Sequence, residues 1–508
     1  MPHLKIGQPM TLSKSQYIRG LQCHKSLWLY KNNPELRDEP EHAQESLFNT
    51  GHSVGELARE LFPNGEEVKF DASNFNGMIS KTKELIANGT KIIYEATFSE
   101  DGIFAMADIL VKNGDAWDMY EVKGSTSVRD KHGVIKKHYL QDASIQWYAF
   151  SKSIKLNRSF IVYIDNTYTR HGELEIPKLF AFDDITEEVL QDQENIEQHL
   201  SEMESVLNRD MPVINIGKHC DNPYNCDFST HCWKHIPKEN SVFDISYAMG
   251  KQWTLYYDGV LNIDDIPDDF QFGSNASLQI EHHKSQEVKV DKEEIKLFLD
   301  TIEYPINFFD FETFQNAIPR FDNQRPYAQM TFQYSLHILH KDGTLEHKEF
   351  LGDENSDPRL PLAKQMLQDI TPTGSIVAYN QSFEITQIKN LAHFSPNRAN
   401  ELLKLNERFV DLAHPFQYKH YYDPKFSGRY SIKIVLPTLF PNDDELDYKK
   451  LGSIQDGGDA MDTFANLYLL KDKNKRDVIR KDLLAYCRLD TLAMVRIWEK
   501  LDKIIQES

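Results

Sequence analysis

The sequence predicts an α/β protein with more than one domain. The chain has 508 residues, of which 40% are hydrophobic and 11% aromatic, and a single hydrophobic core stops growing near about 250 to 300 residues. Apolar strand patterns are interleaved with helical periodicity, most clearly in the C-terminal half. No internal repeat or low-complexity tract interrupts these patterns. We therefore expect two or three globular domains.

Pattern changes divide the chain into three predicted domains. Residues 1–235 run from a helical start at Ser13–Lys31 through a β-rich middle to a cysteine-bearing end. Residues 236–303 are helical and acidic, and are predicted to form a connector, with helix, turn and helix spacing in LYYDGVLNIDDIPDDF. Residues 304–508 begin with the strand INFFDFETF and continue in α/β order.

Charge and hydropathy limit the partners of the chain. A formal charge of −21 argues against sequence-blind coating of nucleic acid, which requires many lysines and arginines. Contact with nucleic acid must therefore be local, at basic islands such as Arg129–Lys137 and Lys471–Lys481, although each also fits an ordinary solvated helix face. No stretch has the roughly 18 uninterrupted apolar residues of a membrane span, and the N-terminus lacks a signal-peptide pattern. We expect a cytoplasmic protein without membrane contact.

Acidic side chains in the C-terminal part have the spacing of metal ligands. Asp310 and Glu312 are two residues apart on a predicted strand, so both leave the same face and can share a cation. Mg²⁺ and Mn²⁺ prefer such oxygen ligands. Glu384 opens a predicted helix after an apolar strand, and Asp490 lies in a strongly helical segment. Tyr486 precedes Asp490 by four residues, on the same helix face, where its hydroxyl can orient a water molecule.

Residues 303–508 resemble the DEDD exonuclease superfamily, which has a ribonuclease-H-like fold with a mixed sheet. The resemblance implies a 3′ to 5′ exonuclease site with two Mg²⁺ or Mn²⁺ ions. Glutamate occupies a second-motif position that is usually aspartate. Asp411 is either a further active-site acid or a capping residue, and we favour capping. The three motifs, D-x-E, N-x-x-F-D and Y-x-x-x-D, correspond to Asp310 and Glu312; to Asn380, Phe383 and Glu384; and to Tyr486 and Asp490.

A second acidic group is predicted in the N-terminal part. Glu121 and Lys123 form E-V-K on a predicted strand, and Asp108 lies on the preceding strand, with the turn sequence NGD between them. A hairpin would bring the two acids and the lysine together. Acids can then hold a cation while the lysine positions water or supports charge on a phosphate. Glu95 and His52 are candidates for further ligands.

Residues 11–235 resemble the PD-(D/E)xK nuclease superfamily, a restriction-endonuclease-like fold, and in particular its RecB-like branch. That branch includes CRISPR-associated nucleases and the AddB helicase subunit. The resemblance implies that the site also contains a glutamine from a later Q-x-x-x-Y motif. The motif is imperfect here, because no glutamine of YLQDASIQWYAF is followed by a tyrosine four residues later. The possible counterparts are Gln141, Gln146 and Tyr148, and we assign the position to Gln146, with Asp142 four residues before it. The other matching positions are His52, Asp108, Glu121 and Lys123.

Four cysteines frame the N-terminal domain. Five cysteines in 508 residues are too few for a disulfide scaffold, so a cluster of them points to a metal. Zinc, a four-iron four-sulfur cluster or ordinary buried thiols remain open, and neighbouring histidines keep a mixed zinc site among them. The RecB-like resemblance favours the iron–sulfur cluster. The four residues are Cys23, Cys220, Cys226 and Cys232, whereas Cys487 is predicted to be a core residue.

The whole chain resembles bacterial proteins that fuse a RecB-like nuclease to a ribonuclease-H-like exonuclease domain. This resemblance implies a metal-dependent nuclease that acts on DNA in preference to RNA, in DNA repair or in defence against foreign DNA. Two alternatives remain open. One is a nucleic-acid-binding scaffold in which one or both sites are inactive, and the other is an RNA-processing exonuclease.

Overall fold

A computed structural model describes residues 11–39 and 42–507 of the chain. It separates into two compact units, Met1–His235 with Ala317–Tyr327, and Ile236–Asn316 with Ala328–Ser508. The predicted connector belongs to the second of these units. The segment Ala317–Tyr327 belongs to the first unit, although it comes from the C-terminal half of the sequence. The division into domains with separate activities stays a prediction.

The first unit contains a mixed β-sheet flanked by helices. Its strands are β1 (Leu12–Ser13), β2 (Glu66–Glu67), β3 (Ile92–Glu100), β4 (Ile103–Asn113), β5 (Ala116–Lys123), β6 (Leu156–Ile164) and β7 (Phe180–Asp184). Its helices are α1 (Lys14–Gln22), α2 (His24–Asn32), α3 (His42–Ala58), α4 (Phe75–Ala87), α5 (Lys137–Ser151), α6 (Ile176–Leu179), α7 (Thr186–Leu207) and α8 (Ser229–Cys232).

The sheet of the first unit has the order β2-β3-β4-β5-β6-β7, with β1 paired to β4. The neighbours β3, β4 and β5 are antiparallel, whereas β5 and β6 are parallel. Alternate residues of β4 are buried from Ile103 to Ile109, because successive side chains of a strand point to opposite faces. Asp108 therefore lies on the face opposite to these apolar residues.

The helical segment predicted at Ser13–Lys31 forms two helices that are separated at Cys23. Ser13 and Gln16 form a capping box at the beginning of α1, which satisfies backbone N–H groups that have no partner within the helix. At Cys23 the backbone is extended, with φ −161° and ψ 116°, so α1 ends at Gln22 and α2 begins at His24. Cys23 thus lies between two helices, not within one continuous helix.

The second unit contains another mixed sheet, a long C-terminal helix and a small two-stranded sheet. Its strands are β8 (Lys289–Val290), β9 (Ile306–Phe314), β10 (Met330–Leu339), β11 (Leu345–Leu351), β12 (Ile376–Ala378), β13 (Phe409–Asp411) and β14 (Tyr421–Tyr422). Its helices are α9 (Lys251–Tyr257), α10 (Ser274–Ser285), α11 (Lys292–Leu299), α12 (Arg359–Asp369), α13 (Ser382–Phe394), α14 (Ala399–Leu405), α15 (His414–Gln417), α16 (Ile432–Leu439), α17 (Gly457–Asn466) and α18 (Lys473–Gln506).

The main sheet of the second unit has the order β11-β10-β9-β12-β13, and β8 pairs with β14. Strand β10 is antiparallel to β9 and β11, whereas β12 is parallel to β9 and β13. Every residue of β10 is buried, because α12 and α18 both pack against this strand. The two mixed sheets make the chain an α/β protein, as the sequence predicts.

The connector region has fewer helices in its middle than expected. Helix α9 ends at Tyr257, and the predicted second helix is only the single 3-10 turn Ile263–Asp265. The next α-helix, α10, begins at Ser274 after Gly273. Within the described residues, no helix is both long and apolar enough to cross a bilayer.

Candidate active sites

In the second unit, β9 and α18 bring the predicted acids together. Asp310 pairs with Ser335 of β10, and Glu312 pairs with Gln333, so the two acidic side chains leave the same face of β9. The facing turn of α18 carries Cys487. One ligand atom from each of Asp310, Glu312 and Cys487 lies within 4.8 Å of the other two.

Cys487 is buried, as expected for a core residue, but it also contacts this acidic group. Its Sγ lies 3.6 Å from Asp310 Oδ2. Burial raises the pKa of the Cys487 thiol well above its usual value, and the neighbouring Asp310 adds to the effect. A neutral thiol is a poor ligand for a hard cation, so the residue fits a protonated donor to Asp310 better than a metal ligand.

Tyr486 and Asp490 share one face of α18 and meet a residue that sequence reasoning missed. The hydroxyl of Tyr448 lies 2.5 Å from Asp490 Oδ1 and donates a hydrogen bond to it. The ring centroids of Tyr448 and Tyr486 are 6.0 Å apart. Lys433, on α16, places its Nζ 5.3 Å from the Tyr448 ring centre and 5.2 Å from that of Tyr486. No local pattern indicated Tyr448 or Lys433.

Glu384 enters the group from the first turn of α13. Its side chain is 2% exposed, and among the described residues its Oε2 has no hydrogen-bond partner. Burial raises the pKa of Glu384 to about 8, with Asp411 and Asp490 contributing in the same direction. A buried carboxylate oxygen without a partner is costly unless another group satisfies it. A bound cation would supply such a partner.

The other acids of this group also favour their neutral forms. Burial, followed by the neighbouring Asp490, raises the pKa values of Asp310 and Glu312 well above their usual range. Burial raises the pKa of Asp490 to about 6, although hydrogen bonds from Tyr448 and Tyr486 and the charge of Lys433 oppose it. Mutual repulsion in a poorly solvated group of acids is the condition that a divalent cation relieves. The donor set therefore fits Mg²⁺ or Mn²⁺.

Asp411 has the capping role that we favour from the sequence. Its carboxylate accepts hydrogen bonds from the backbone N–H groups of Asn380 at 2.9 Å, Gln381 at 3.1 Å and Ala413 at 3.0 Å. Asn380 has a positive φ of 66°, a conformation that asparagine tolerates better than most residues. Asp411 thus fixes the turn that leads from β12 to Glu384.

In the first unit, the β4–β5 hairpin brings Asp108 beside Glu121. The register pairs Ile109 with Tyr120, so the two acids occupy the next positions along the ladder. Asp108 Oδ2 accepts a 2.6 Å hydrogen bond from the backbone N–H of Val122. Burial, followed by the charge of Glu121, raises the pKa of Asp108 to about 7.

Two lysines neutralise the acids of this second group. The Nζ atoms of Lys14 and Lys123 lie 2.7 Å and 2.8 Å from the same oxygen, Oε1 of Glu121. Asp142 lies 3.3 Å from Lys14 Nζ and 2.5 Å from Lys123 Nζ. Burial alone would lower the pKa values of both lysines, but Asp142 and Glu121 raise them above the usual value. Sequence reasoning missed Lys14, which is the first residue of α1.

Gln146, the predicted supporting glutamine, contacts Glu121. Its side-chain Nε2 donates hydrogen bonds to Glu121 Oε2 and to the Met106 carbonyl oxygen, both at 2.6 Å. The residue is fully buried on α5. Within the described part of the chain its Oε1 has no hydrogen-bond partner. Gln146 therefore holds Glu121 from the side opposite to the two lysines.

The two remaining candidates differ in their position. Glu95 lies within β3 with a positive φ of 56°, and the register with β4 is the same on both sides of it. Its side chain forms a 2.9 Å ion pair with Arg59. Burial raises its pKa, and Glu121 is one of the acids that add to the effect, so Glu95 is a neighbour of the group. The side chain of His52 is 75% exposed and lies 3.3 Å from Glu56. The structure does not bring His52 to Asp108 and Glu121.

The four predicted cluster cysteines line one cavity. The lining also includes Lys25, Ser26, His219, Phe228 and Trp233. The four residues are Cys23, Cys220, Cys226 and Cys232, and all are free thiols. Burial raises the pKa of Cys23, whereas the backbone N–H groups of Ser26 and Lys25 lower it. Thiol side chains from distant parts of the chain, turned toward one cavity beside backbone donors, are suited to hold a metal centre.

Comparisons with known proteins give a match to a family without an assigned function. Residues 307–431 match a domain of unknown function, DUF2779, and this region includes Asp310, Glu312 and Glu384. An uncharacterized protein, UU173, from Ureaplasma parvum serovar 3 (strain ATCC 700970) is 27% identical over 249 residues. The match covers 44% of this chain and 35% of that protein, so the chain spans about a third of the length of the relative.

Two solved structures are weakly similar to the chain. An alkaline exonuclease (LHK-Exo) from Laribacter hongkongensis has a TM-score of 0.23 and 13% identity, covering 39% of this chain and 89% of that chain. The protein SSO0001 has a TM-score of 0.24 and 18% identity, covering 46% and 89%. Similarity at this level does not establish a shared fold.

Proposed function

We propose that the chain is a metal-dependent nuclease with a different phosphodiesterase site in each unit. The observation that carries this proposal is the buried acidic group of the second unit. Its four carboxylates repel one another. Among the described residues, Oε2 of Glu384 has no hydrogen-bond partner. The hydroxyl of Tyr448 contacts Asp490. The residues that would hold the cations are Asp310, Glu312, Glu384 and Asp490.

Divalent cations bound there would neutralise the carboxylates, promote deprotonation of a water molecule and stabilise the leaving oxygen of a phosphodiester. Tyr486 lies on the Asp490 face of α18, where its hydroxyl can orient the attacking water. Tyr448 holds Asp490 in place through its 2.5 Å hydrogen bond. Lys433, above both tyrosine rings, supplies positive charge near the phosphate. We propose 3′ to 5′ exonuclease activity for this site.

For the first unit we propose a one- or two-cation site at Asp108 and Glu121, with Glu95 nearby. Lys14 and Lys123 both pair with Glu121. With Glu121 bound to a cation, the two ammonium groups would be available to the phosphate of the substrate and would stabilise its developing charge. Gln146 keeps Glu121 in position from the other side.

For the cysteine cavity we propose a four-iron four-sulfur cluster in preference to zinc. Tetrahedral zinc with Zn–S bonds of about 2.3 Å places its sulfur ligands roughly 3.8 Å apart. In the described part of the chain, no three of the cysteine sulfurs lie within 4.8 Å of one another. The wider spacing suits a larger inorganic core. Iron and acid-labile sulfide in the anaerobically purified protein would support the cluster, and stoichiometric zinc would contradict it.

The nuclease proposal is tested on end-labelled single-stranded and double-stranded DNA, and on matched RNA, with Mg²⁺ or Mn²⁺. Asp310→Asn and Asp490→Asn should abolish one set of products, and Glu121→Gln and Lys123→Met another. Asp115→Asn and Asp268→Asn are matched controls, because these acids are 81% and 101% exposed. Preference for DNA would fit repair or defence. Absence of metal-dependent cleavage of either polymer would refute the proposal.

A second candidate function applies to the first unit. The ion pairs of Lys14 and Lys123 with Glu121 and Asp142 satisfy this group without a metal. Such a site could bind a phosphate backbone without cutting it. This binding scaffold predicts equal affinity for nucleic acid with and without Mn²⁺, and no products that depend on Glu121.

A further inference from the structure

Aromatic side chains lie beside the lysines of the first unit. The ring of Tyr139 is 5.8 Å from Lys123 Nζ and 5.8 Å from Lys136 Nζ. Its neighbour His138 lies 4.1 Å away between ring centroids, and the Tyr224 ring lies 5.8 Å beyond His138 at an interplanar angle of 69°. We call His138, Tyr139 and Tyr224 the aromatic rim. The aromatic rim begins at Tyr139, beside Lys123, and ends at the exposed ring of Tyr224.

Tyr224 reaches the rim from the cysteine loop. It lies between Cys220 and Cys226 in sequence, and its backbone carbonyl accepts a 2.6 Å hydrogen bond from Gln22 Nε2. The same Gln22 amide donates to the His219 carbonyl oxygen at 2.9 Å. The loop is therefore fastened to α1, the helix that also carries Lys14. Tyr224 nevertheless remains 56% exposed, so its ring is accessible to a ligand.

The combination of aromatic rings and ammonium groups selects one class of ligand. Nucleobases stack on aromatic side chains, and phosphates bind lysines, so a strand with unpaired bases satisfies both parts at once. In a duplex the bases are already stacked and paired, and only the phosphates are available to the lysines. An acidic peptide or a lipid surface would leave the rings without a stacking partner.

We propose that the aromatic rim binds an unpaired nucleobase next to the phosphate held at Lys14 and Lys123, which makes single-stranded nucleic acid the substrate class of the first unit. This inference rests on the proposed nuclease function of that unit. Because Tyr224 lies between Cys220 and Cys226 in the cysteine loop, a metal centre held by that loop would also position this ring.

The test measures binding of a single-stranded oligonucleotide that carries terminal 2-aminopurine, in Ca²⁺ to suppress cleavage. Stacking quenches the emission of this base, so the wild-type protein and Tyr224→Phe should quench it. Loss of a base–aromatic stack should weaken binding by about 5-fold to 150-fold in Tyr224→Ala and Tyr139→Ala. Affinity for a blunt duplex should not change. Tyr257→Ala, at a tyrosine that is 60% exposed in the second unit, serves as the control.

The outcomes separate this inference from the nuclease proposal. Quenching that depends on the rim without any metal-dependent cleavage would refute the nuclease function and retain the base-binding site. If the protein forms Glu121-dependent products but Tyr224→Ala and Tyr139→Ala bind the oligonucleotide as tightly as the wild type, the aromatic rim does not bind a base and this inference is wrong. Iron and sulfide content is measured for each variant. If Tyr224→Ala loses the cluster, Tyr139→Ala on α5 decides, because this helix carries none of the four cysteines.

Discussion

Two lysines from distant parts of the sequence share one carboxylate oxygen in the first unit. Lys123 is two residues from Glu121, whereas Lys14 is 107 residues from it. Both ammonium groups also contact Asp142. The pair of lysines distinguishes this site from a minimal E-x-K motif, because Lys14 brings a second positive charge to the same oxygen of Glu121.

We predict that Lys14→Met slows formation of the Glu121-dependent products by about 10-fold to 100-fold, since a charged hydrogen bond to the phosphate is worth about 1.5–3 kcal/mol. Initial rates on end-labelled single-stranded DNA measure the effect. Lys152→Met is the control, because Lys152 pairs with Asp101 and Glu197 and is 40% exposed. A lower melting temperature with an unchanged rate would assign Lys14 a structural role instead.

Residue spacing explains which site residues sequence reasoning can find. Asp310 and Glu312 follow the two-residue period of a strand, and Tyr486 and Asp490 follow the four-residue repeat of a helix face, so local rules predict their shared orientation. Tyr448 is 42 residues from Asp490. Such a contact depends on how the chain returns to the site, which periodicity does not encode. Lys14 and Lys433 were missed for the same reason.

At the scale of elements, the turn between β12 and α13 determines where Glu384 lies. Asp411, at the end of β13, accepts three backbone hydrogen bonds from this turn and its own loop. Because β12 and β13 are parallel neighbours, their carboxyl ends meet at one edge of the sheet. Asp411, at the end of β13, can thus accept hydrogen bonds from Asn380 and Gln381, which follow β12.

We predict that Asp411→Ala loosens this turn and lowers the free energy of unfolding of the second unit by about 1–3 kcal/mol, because backbone donors lose their acceptor. Hydrogen exchange of the Asn380 and Gln381 amides should accelerate. Asp411→Asn keeps one acceptor oxygen and should show a smaller change. Normal protection of both amides in Asp411→Ala, with loss of cleavage alone, would instead identify Asp411 as a catalytic acid.

Elements with a strong pattern were predicted from sequence, and elements fixed by contacts were not. The apolar runs of β9, β10 and β12 and the amphipathic α13 and α18 follow from periodicity. The break at Cys23 does not, because RGLQCHKSLWLY reads as continuous helix. At Cys23 the backbone is extended, and the residue lines the cavity together with Cys220 and the other two cysteines. In the connector, IDDIPDDF contains too many acids and a proline to continue as helix.

At the scale of the whole molecule, the acidic group of the second unit makes stability depend on pH and cation. Glu384 has a pKa of about 8 and Asp490 of about 6, both above the values of about 4 for unfolded chains. A raised carboxyl pKa contributes stability that is fully present below the unfolded pKa and is lost as pH rises through the folded pKa. The free energy of unfolding of the metal-free protein should therefore fall as the pH rises from about 4 to about 8.

We predict that the melting temperature in EDTA falls by roughly 5 °C between pH 5 and pH 8, and that Mn²⁺ restores it at pH 8. Scanning calorimetry measures both effects. Glu384→Gln should flatten the pH dependence and reduce the response to Mn²⁺, whereas Asp268→Asn should change neither. A melting temperature that rises with pH in EDTA, together with no response to Mn²⁺, would contradict a cation site at these acids.

The segment Ala317–Tyr327 is inserted between β9 and β10 of the second unit but belongs to the first. There it contributes Ala317, Ile318 and Tyr327 to an apolar cluster with residues such as Val162 and Leu179. The chain consequently passes from one unit to the other after residues 235, 316 and 327. If a protease cuts only after residue 235, Ala317–Tyr327 still packs in the first unit. The two fragments therefore stay associated. A gene fragment that stops there encodes a first unit without Ala317–Tyr327, which is part of its own interior. The two proposed activities are therefore best separated by point variants in the intact polypeptide.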